Sequence, residues 1–390
     1  MLDVSDIRRR FPALRATTAD GRSVVHADAP GGTQVPEHVI AAMGDYLRAG
    51  SANAHGAFPT SRATDALCDS VRAQAAAFVD GWPDGIVFGP NMTTLTLHLA
   101  DALASELSAD DRLVCTRLDH DANVAPWLHL AERTGAAIDW VDLDVERGTL
   151  DLDTLRVDAA TRLIAFPAAS NALGTVVDPA PFVEAAASVG AITFMDAVHT
   201  APHTPITQRA SGVDVVVCSP YKFFGPHAWI LSADPNMLER WKPSKVRPAP
   251  DHGPQRWQNG TAAFEAIAGV GAACSYIDEI GLAAIEDHER HLTTRFLAAL
   301  DALDHVRLHG VAQAEGRTPT FAVTVVGYPP VDVARQLADD GIYVWAGHYY
   351  AIEPLRRLGL LDRGGAVRIG FVHYHGPDDV DRVLAALDRL

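Results

Sequence analysis

Short apolar runs alternate with amphipathic helical stretches between about residues 85 and 235. Several of the runs are apolar throughout rather than at every second position, which is typical of strands covered on both faces. The predicted strands are 85–89, 112–116, 137–143, 162–166, 191–195, 213–218 and 228–232, with helical patterns such as 94–106 and 178–188 between them. This alternation predicts a mostly parallel α/β sheet, in which ligand sites cluster where the strands end.

The pattern changes after residue 241. Residues 242–260 are rich in proline and glycine and predict a connection or an active-site loop. Residues 262–304 have a helical pattern, and the remainder mixes strands (321–326, 342–345, 366–371) with helices (331–339, 377–390). We therefore predict an N-terminal arm over 1–25 that packs on a small domain, a large domain over 26–260, and a smaller α+β domain over 261–390.

Composition narrows the class of protein. The 390 residues are 48% hydrophobic and carry a net charge of −17, which repels phosphate backbones and anionic lipid. We therefore expect neither a nucleic-acid partner nor a membrane partner. Four scattered cysteines without a CxxC pair suit a reducing cytosol. Residues 1–14 (MLDVSDIRRRFPAL) show no signal-peptide pattern, and no apolar run reaches the ~18–20 residues of a membrane span. A cytoplasmic protein is expected.

An acid and a lysine follow two of the predicted strands. Asp196 comes directly after strand 191–195, and Lys222 follows strand 213–218 after three intervening residues. Both side chains would project at one edge of the sheet. A lysine that forms a Schiff base and a carboxylate that pairs with a pyridinium nitrogen are what a pyridoxal phosphate site needs. Taken singly, either residue could equally be a loop residue or part of a surface ion pair.

The order of these motifs resembles a known family. The pattern D-x-x-[HQ], then a strand, then S-x-[HY]-K-x-x-G-P is similar to that of class V aminotransferases, which are fold-type I pyridoxal phosphate enzymes and include cysteine desulfurases and selenocysteine lyases. The resemblance extends from HADAPGGTQVP (residues 26–36) to the C-terminus. It implies pyridoxal 5′-phosphate as cofactor, a large domain with a mostly parallel sheet, and a smaller α+β C-terminal domain.

The resemblance also implies roles around the cofactor ring. Lys222 matches the Schiff-base lysine, and Asp196 matches the partner of the pyridinium nitrogen. His199 matches the residue that hydrogen-bonds the phenolic oxygen, and Asn171 lies near the same oxygen and the substrate carboxylate. His120 matches the histidine that stacks on the ring. For His120 a helix N-cap is the alternative, and a metal site is weaker still because two neighbouring ligands do not make one.

Phosphate binding calls for donors at a helix start, which the segment FGPNMTTLTLHL supplies. Asn91 could instead be a simple N-cap. Together with the resemblance, this implies phosphate ligands at Met92, Thr93, Ser219 and Tyr221, the last where relatives usually carry histidine. The resemblance further implies that Thr261 reaches the phosphate in the neighbouring subunit, and hence that the active unit is a homodimer.

Substrate contacts come from four places in the chain. Arg368 resembles the arginine that holds an α-carboxylate with both arms of its guanidinium, although a strand arginine is otherwise usually a solvated edge charge. His55 and Arg62 match residues that line the substrate entrance. Asn171 and Tyr350 complete the predicted substrate contacts.

The loop VWAGHYYAIEP (residues 344–354) departs from the desulfurases. Aligning its Gly-His pair places Tyr350 where their nucleophilic cysteine lies, and Trp345 replaces an arginine nearby. The chain has no cysteine after Cys274. A desulfurase needs a mobile thiolate to form a persulfide, so the sequence argues against that reaction. The aromatic residues of the loop predict either a substrate pocket or core packing.

These observations support several hypotheses. The leading one is an enzyme that removes the Cα proton of an α-amino acid with Lys222, Asp196 and His120 and then eliminates a β-substituent, such as sulfur, as a lyase. An aminotransferase or an epimerase of the same family is the alternative. A catalytically silent partner protein with this fold would explain the missing cysteine but not the retained cofactor residues. A nicotinamide-dependent enzyme is disfavoured because no GxGxxG follows an early strand.

Overall fold

The computed structural model describes residues 2–390, whose strands form two sheets. The larger sheet contains β1 (Ile86–Gly89), β2 (Arg112–Thr116), β3 (Ala137–Asp144), β4 (Thr149–Asp151), β5 (Thr161–Pro167), β6 (Ile192–Asp196), β7 (Val215–Cys218) and β8 (Trp229–Ala233). Their order is β1-β8-β7-β6-β5-β2-β3-β4. Neighbours from β3 to β7 pair in parallel, whereas β1, β8 and β4 add antiparallel pairs. The predicted mostly parallel sheet is confirmed.

Helices precede and follow these strands along the chain. They are α1 (Val4–Arg9), α2 (Glu37–Gly50), α3 (Pro59–Val79), α4 (Met92–Leu103), α5 (Ala125–Thr134), α6 (Ala180–Val189), α7 (Gln208–Ser211) and α8 (Pro235–Arg240). The helix predicted over 94–106 begins two residues earlier, because the Asn91 side chain caps it by accepting a hydrogen bond from the Thr94 backbone N–H at 2.7 Å.

The C-terminal part contains the second sheet. It comprises β9 (Val306–His309), β10 (Thr320–Val325), β11 (Trp345–Gly347) and β12 (Ala366–Gly370), ordered β11-β12-β10-β9 and antiparallel throughout. Its helices are α9 (Phe264–Ile280), α10 (Leu282–Leu300), α11 (Pro330–Asp339), α12 (Ile352–Arg357) and α13 (Pro377–Asp388). The helical region predicted over 262–304 is two helices, separated at Gly281, whose φ of +85° is readily adopted only by glycine.

The strand predicted over 342–345 is wrong in position. Strand β11 begins only at Trp345, because the chain just before it pairs with the N-terminal segment instead of with β12. The Val25 backbone N–H donates to the Gly341 carbonyl oxygen at 2.9 Å, and the Tyr343 N–H donates to the Val25 carbonyl oxygen at 2.9 Å. This is a short parallel bridge rather than a strand of the second sheet.

The first residues of the chain contact its last ones. Arg8 Nη1 donates to an Asp379 carboxylate oxygen at 3.0 Å and to the Tyr374 carbonyl oxygen at 3.3 Å. The buried Phe11 ring packs edge-on against the Tyr374 ring, with 5.2 Å between centroids. The N-terminal segment therefore packs against the C-terminal part of the chain. The domain boundaries at residues 25 and 260 stay predictions.

Among residues 2–390, no single helix is both long enough and apolar enough to cross a membrane. The pair α9 and α10 passes the same length and composition limits only when both helices are counted together, and the two are bent by 73°.

Three neighbouring parallel strands position the chemistry. Strands β5, β6 and β7 end side by side, and the segments after them carry Asn171, His199 and Lys222, with Asp196 as the last residue of β6. Carboxyl ends of parallel strands share one edge of a sheet, where α/β proteins place their ligands. The residues predicted from sequence are therefore brought to one edge by the strand order.

Candidate active site

A cavity of about 710 Å³ lies at this edge of the larger sheet and is closed on the other side by residues of the C-terminal part. Most of the side chains predicted from sequence line it: Met92, Thr93, His120, Asn171, Asp196, His199, Ser219, Tyr221, Lys222, Tyr350 and Arg368. They come from segments far apart in the chain, so the fold gathers them into one place.

Three predicted residues do not line this cavity. His55 is exposed and directed to Asp65, whose carboxylate accepts the His55 backbone N–H at 3.0 Å. Arg62 lies on α3 and donates to the Ala57 carbonyl oxygen. Neither residue lines this cavity in its own chain, and the expectation that the two line the substrate entrance stays a prediction. Thr261 is exposed just before α9, also outside the cavity.

Lys222 lies at the centre of the cavity wall, in a one-turn segment directly after β7. Its Nζ donates to the Pro30 carbonyl oxygen. Burial and the nearby Arg368 guanidinium lower the pKa of Lys222 to about 7, against the opposing influence of Asp196 and Asp28. An amine with such a pKa is about half deprotonated at pH 7 and can act as a base there.

Asp196 is buried at the end of β6. Its Oδ1 accepts the Val198 backbone N–H at 2.9 Å, and no residue within 2–390 hydrogen-bonds its Oδ2. Burial raises the pKa of Asp196 to about 6, while the Val198 hydrogen bond and Lys222 act in the opposite direction. A buried carboxyl with one free oxygen is ready to pair with a cationic N–H brought by a ligand.

The orientation of His120 is fixed by its neighbours. Its Nδ1 accepts the Ala122 backbone N–H at 3.0 Å, which places the proton of the neutral ring on Nε2. Burial and the charges of Lys222 and Arg368 lower its pKa to about 3, so the ring is neutral. The expected N-cap is thus present, and the same ring lines the cavity. The buried Asp119 carboxylate supports this turn by accepting the Asn123 side-chain N–H at 2.8 Å.

One end of the cavity is built to receive an anion. The Asn91 cap engages the Thr94 N–H, which leaves the first N–H groups of α4, at Met92 and Thr93, without an intrahelical partner. Ser219 is fully buried and its Oγ has no hydrogen-bond partner. Tyr221 lies beside it, and burial raises its pKa to about 12, so its phenol stays a donor.

Arg368 projects from β12 into the cavity and is buried. Its Nη1 donates to the Asn171 carbonyl oxygen at 2.9 Å, and its Nε has no partner. The guanidinium carbon lies 4.6 Å from the centre of the Tyr349 ring. The ring and the carbonyl fix the guanidinium from two sides and leave its Nε edge for a ligand. A buried cation of this shape is suited to a carboxylate.

The loop from Gly347 to Tyr350 closes the cavity in a strained conformation. Tyr349 and Tyr350 both have positive φ angles, of 45° and 58°. The Tyr349 carbonyl oxygen accepts the Asn171 side-chain N–H at 3.0 Å, and the Tyr350 carbonyl oxygen accepts the Asp121 backbone N–H at 2.7 Å. These bonds hold the loop against the large sheet. The Tyr350 ring also stacks on His120, with centroids 5.6 Å apart and planes 29° apart.

None of the four cysteines lines the cavity. Cys68, Cys115, Cys218 and Cys274 are all buried and free of disulfides. Burial raises the pKa of Cys218, the one nearest in sequence to Lys222. A thiol of this kind is poorly suited to nucleophilic attack.

Some residues of the site are absent from the sequence-based set. Trp229 and His348 line the cavity, and Thr318 hydrogen-bonds His199 from behind. Trp229 is the second residue of the predicted strand 228–232, and His348 belongs to the loop that departs from the desulfurases, so the position of each in the sequence pointed toward the site. Thr318 carried none beyond its place just before β10.

The residues present fit pyridoxal phosphate. The cavity offers an anion-binding end with an orphaned Ser219 hydroxyl, a base at Lys222, a buried carboxyl at Asp196 and a flat imidazole at His120. These groups match the phosphate, aldehyde, ring nitrogen and ring face of the cofactor. The Asn171 Oδ1 atom is a further buried polar atom without a partner in the protein, and it is free to accept a hydrogen bond from a ligand.

Comparisons with known proteins show which family this chain is similar to. The family model "Aminotransferase class-V" matches residues 25–383. The chain is 33% identical to the "probable cysteine desulfurase 2" of Mycobacterium leprae, covering all of this chain and 96% of that protein. It is 30% identical to a cysteine desulfurase of Klebsiella pneumoniae, covering 99% and 98%. The solved structure of a cysteine desulfurase from Thermococcus onnurineus superimposes with a TM-score of 0.91 at 25% identity, covering 100% of this chain and 98% of that one.

Proposed function

The chain belongs to the class V aminotransferase family, whose members depend on pyridoxal phosphate, and on that premise we propose that it is a lyase that does not form a persulfide. It would remove the Cα proton of an α-amino acid and expel a β-substituent such as sulfur. The observation that carries the proposal is the loop at Tyr350: it closes a cavity with the family's cofactor residues and no cysteine.

We assign the steps of this reaction to individual residues of the cavity. Bound pyridoxal phosphate supplies an electron sink for the pair left when the Cα proton departs. Arg368 holds the substrate carboxylate, and the Lys222 amine takes the proton from Cα. We assign protonation of the leaving group to the Tyr350 phenol, a role supported by the stacking of its ring on His120 in the cavity wall. The loop hydrogen bonds limit the motion that a sulfur-carrying side chain would need.

The products of L-cysteine distinguish the candidate reactions. Elimination consumes cysteine and water and yields pyruvate, ammonia and hydrogen sulfide. A desulfurase yields alanine and leaves one sulfur atom on the protein. We would follow pyruvate, alanine and sulfide together, with intact-protein mass spectrometry for added sulfur, and extend the panel to L-alanine with a keto acid as amino acceptor.

We expect pyruvate and sulfide without a gain of protein mass. Alanine together with a sulfur adduct would overturn the proposal. Amino transfer to the keto acid would make the protein an aminotransferase, and racemisation alone would make it an epimerase. Lys222→Ala is the inactive control for each product. Tyr350→Cys is the matched test of the missing nucleophile, because it restores a thiol at the position where the desulfurases carry one.

We also propose a homodimer in which Thr261 completes the neighbouring site, and a cytoplasmic location in keeping with the free cysteines. The exposure of Thr261 outside its own cavity supports the first part. A Thr261→Ala protein should bind cofactor weakly. Mixing it with Lys222→Ala subunits should restore activity, since a mixed dimer has one site with both residues. No restoration in a mixture shown by ultracentrifugation to be dimeric would refute the shared site.

A further inference from the structure

A hydrogen bond from outside the cavity reaches one of the cofactor-site residues. His199 Nε2 lies 3.1 Å from Thr318 Oγ1. His199 follows β6, whereas Thr318 precedes β10 and lies 119 positions later in the chain. Both side chains are buried, but only His199 lines the cavity. Any influence of Thr318 on a ligand in the cavity therefore passes through the His199 imidazole.

The Thr318 hydroxyl has a single proton and two acceptors within reach. One is His199 Nε2, and the other is the Gly174 carbonyl oxygen at 3.3 Å. That carbonyl already accepts the Thr318 backbone N–H at 2.8 Å. The imidazole nitrogen is nearer and has no other partner, which favours donation from the hydroxyl to His199 Nε2 over donation to the carbonyl. Because Nε2 then uses its lone pair, the proton of a neutral ring must be on Nδ1.

The surroundings keep the His199 ring neutral. It is buried, and the His203 ring packs edge-on against it at 5.4 Å between centroids. His203 Nδ1 in turn lies 2.8 Å from a buried Glu289 carboxylate oxygen. Burial and the charges of His203, Arg368 and Lys222 all lower the pKa of His199. A neutral imidazole has one N–H, so its position matters for any acceptor in the cavity.

We propose that Thr318 is a positioning residue that fixes His199 as the Nδ1-protonated tautomer, so that the ring presents a donor to an acceptor oxygen in the cavity. No residue within 2–390 hydrogen-bonds His199 Nδ1, which leaves this donor for a ligand. In a pyridoxal phosphate enzyme the acceptor is the phenolic oxygen of the cofactor. The opposite tautomer would present a lone pair to the same oxygen and repel it. The inference holds whichever product the enzyme forms.

The tautomer can be read directly in the cofactor-free protein. Ring nitrogens of ¹⁵N-histidine-labelled protein differ in chemical shift according to which one carries the proton, and His199→Gln identifies the His199 signals. We expect Nδ1 protonation in the wild type and in Thr318→Ser, which keeps the hydroxyl. Thr318→Val should give a mixture of tautomers. Nε2 protonation in the wild type would overturn the proposal without recourse to any variant.

The loaded protein gives a second readout, the pH titration of the visible absorbance of bound cofactor. An oxygen anion that loses a donor binds protons more tightly, so Thr318→Val should shift the midpoint upward by about half to one pH unit. Thr318→Ser should titrate like the wild type.

Thr320→Val is the matched control, since Thr320 is equally buried in the same segment but its Oγ1 has no hydrogen-bond partner. Equal midpoints for the wild type and a folded Thr318→Val protein would refute the proposal, as would equal shifts in the Thr318 and Thr320 variants.

Discussion

Replacing Arg368 tests the substrate-binding geometry most sharply. Arg368 Nη1 is already engaged by the Asn171 carbonyl oxygen, whereas Nε is buried without a partner. The edge of the guanidinium formed by Nε–H and Nη2–H can therefore donate two hydrogen bonds to one carboxylate. Each hydrogen bond to a charged group contributes about 1.5–3 kcal/mol. Losing both would cost about 3–6 kcal/mol, which corresponds to a fall in kcat/KM of about 10²–10⁴.

Two substitutions separate the charge from the shape of this side chain. Arg368→Met removes both bonds and should show the full loss. Arg368→Lys keeps the charge but offers a single point donor, so it should lose about 10–10² in kcat/KM. The assay is the steady-state rate with the best amino acid of the panel and with the amine that lacks its carboxylate. Visible absorbance of bound cofactor shows whether each variant still folds and loads.

Comparing the amino acid with the amine shows whether Arg368 contacts the substrate carboxylate. For the amine, the wild type and both Arg368 variants should react at similar, low rates, because the contact under test is absent from all three. A loss of equal size for amino acid and amine would refute a carboxylate contact and point instead to the support that Arg368 gives the Tyr349 ring. An unchanged kcat/KM for the amino acid in Arg368→Met would refute the assignment altogether.

Three further predictions concern the base, the loop and the phenol. The pKa of Lys222 is lowered from 10.5 to about 7, so between pH 7 and pH 10.5 the unfolded chain binds a proton that the native cofactor-free protein lacks. The difference in free energy of unfolding between the wild type and Lys222→Met should therefore rise with pH across that interval, which urea titrations at several pH values would measure. A Cβ on Gly365 (φ +82°) would overlap the Gly347 carbonyl, so Gly365→Ala should destabilise the protein by more than the ~1–2 kcal/mol of Gly190→Ala, which has the same kind of φ but open space, in the same titration. Tyr350→Phe keeps the ring but not the hydroxyl and should reduce kcat at least tenfold if the phenol donates a proton, whereas an unchanged kcat in product assays would exclude that role.

The large sheet was predictable because its central strands β5, β6 and β7 are buried on both faces. Strands β2, β3, β5 and β6 lie within one or two residues of the predicted positions. The parallel order follows from strand and helix alternation, which depends only on local pattern. The bridge between Val25 and Ile342 was not predictable in this way, because a pairing over more than 300 residues leaves no local signal. The same applies to the edge strands β4 and β9, which are short and only partly buried.

The cofactor-site residues were predictable because each lies at a strand end or a helix start. Asp196, His199 and Lys222 keep fixed offsets from β6 and β7, so their convergence needs only the sheet order. The contact between Thr318 and His199 depends on how the second sheet meets the first, and the contact of Arg368 with Tyr349 depends on the pairing of β11 with β12; neither can be predicted from a local sequence pattern. The expectation for His55 stays a prediction, since its backbone N–H is bound by the Asp65 carboxylate and its side chain lies outside this chain's own cavity.

The backbone conformation of the loop affects whether a cysteine at position 350 could transfer sulfur, whatever contacts the Tyr350 side chain makes. The contacts that pin the loop are made by the backbone carbonyls of Tyr349 and Tyr350, to Asn171 and Asp121. Neither bond requires an aromatic ring, so Tyr350→Cys should keep the backbone conformation apart from the stacking on His120. If that variant loads cofactor but forms no persulfide, the pinned backbone itself opposes sulfur transfer. If it gains persulfide chemistry, the identity of residue 350 alone separates the two reactions.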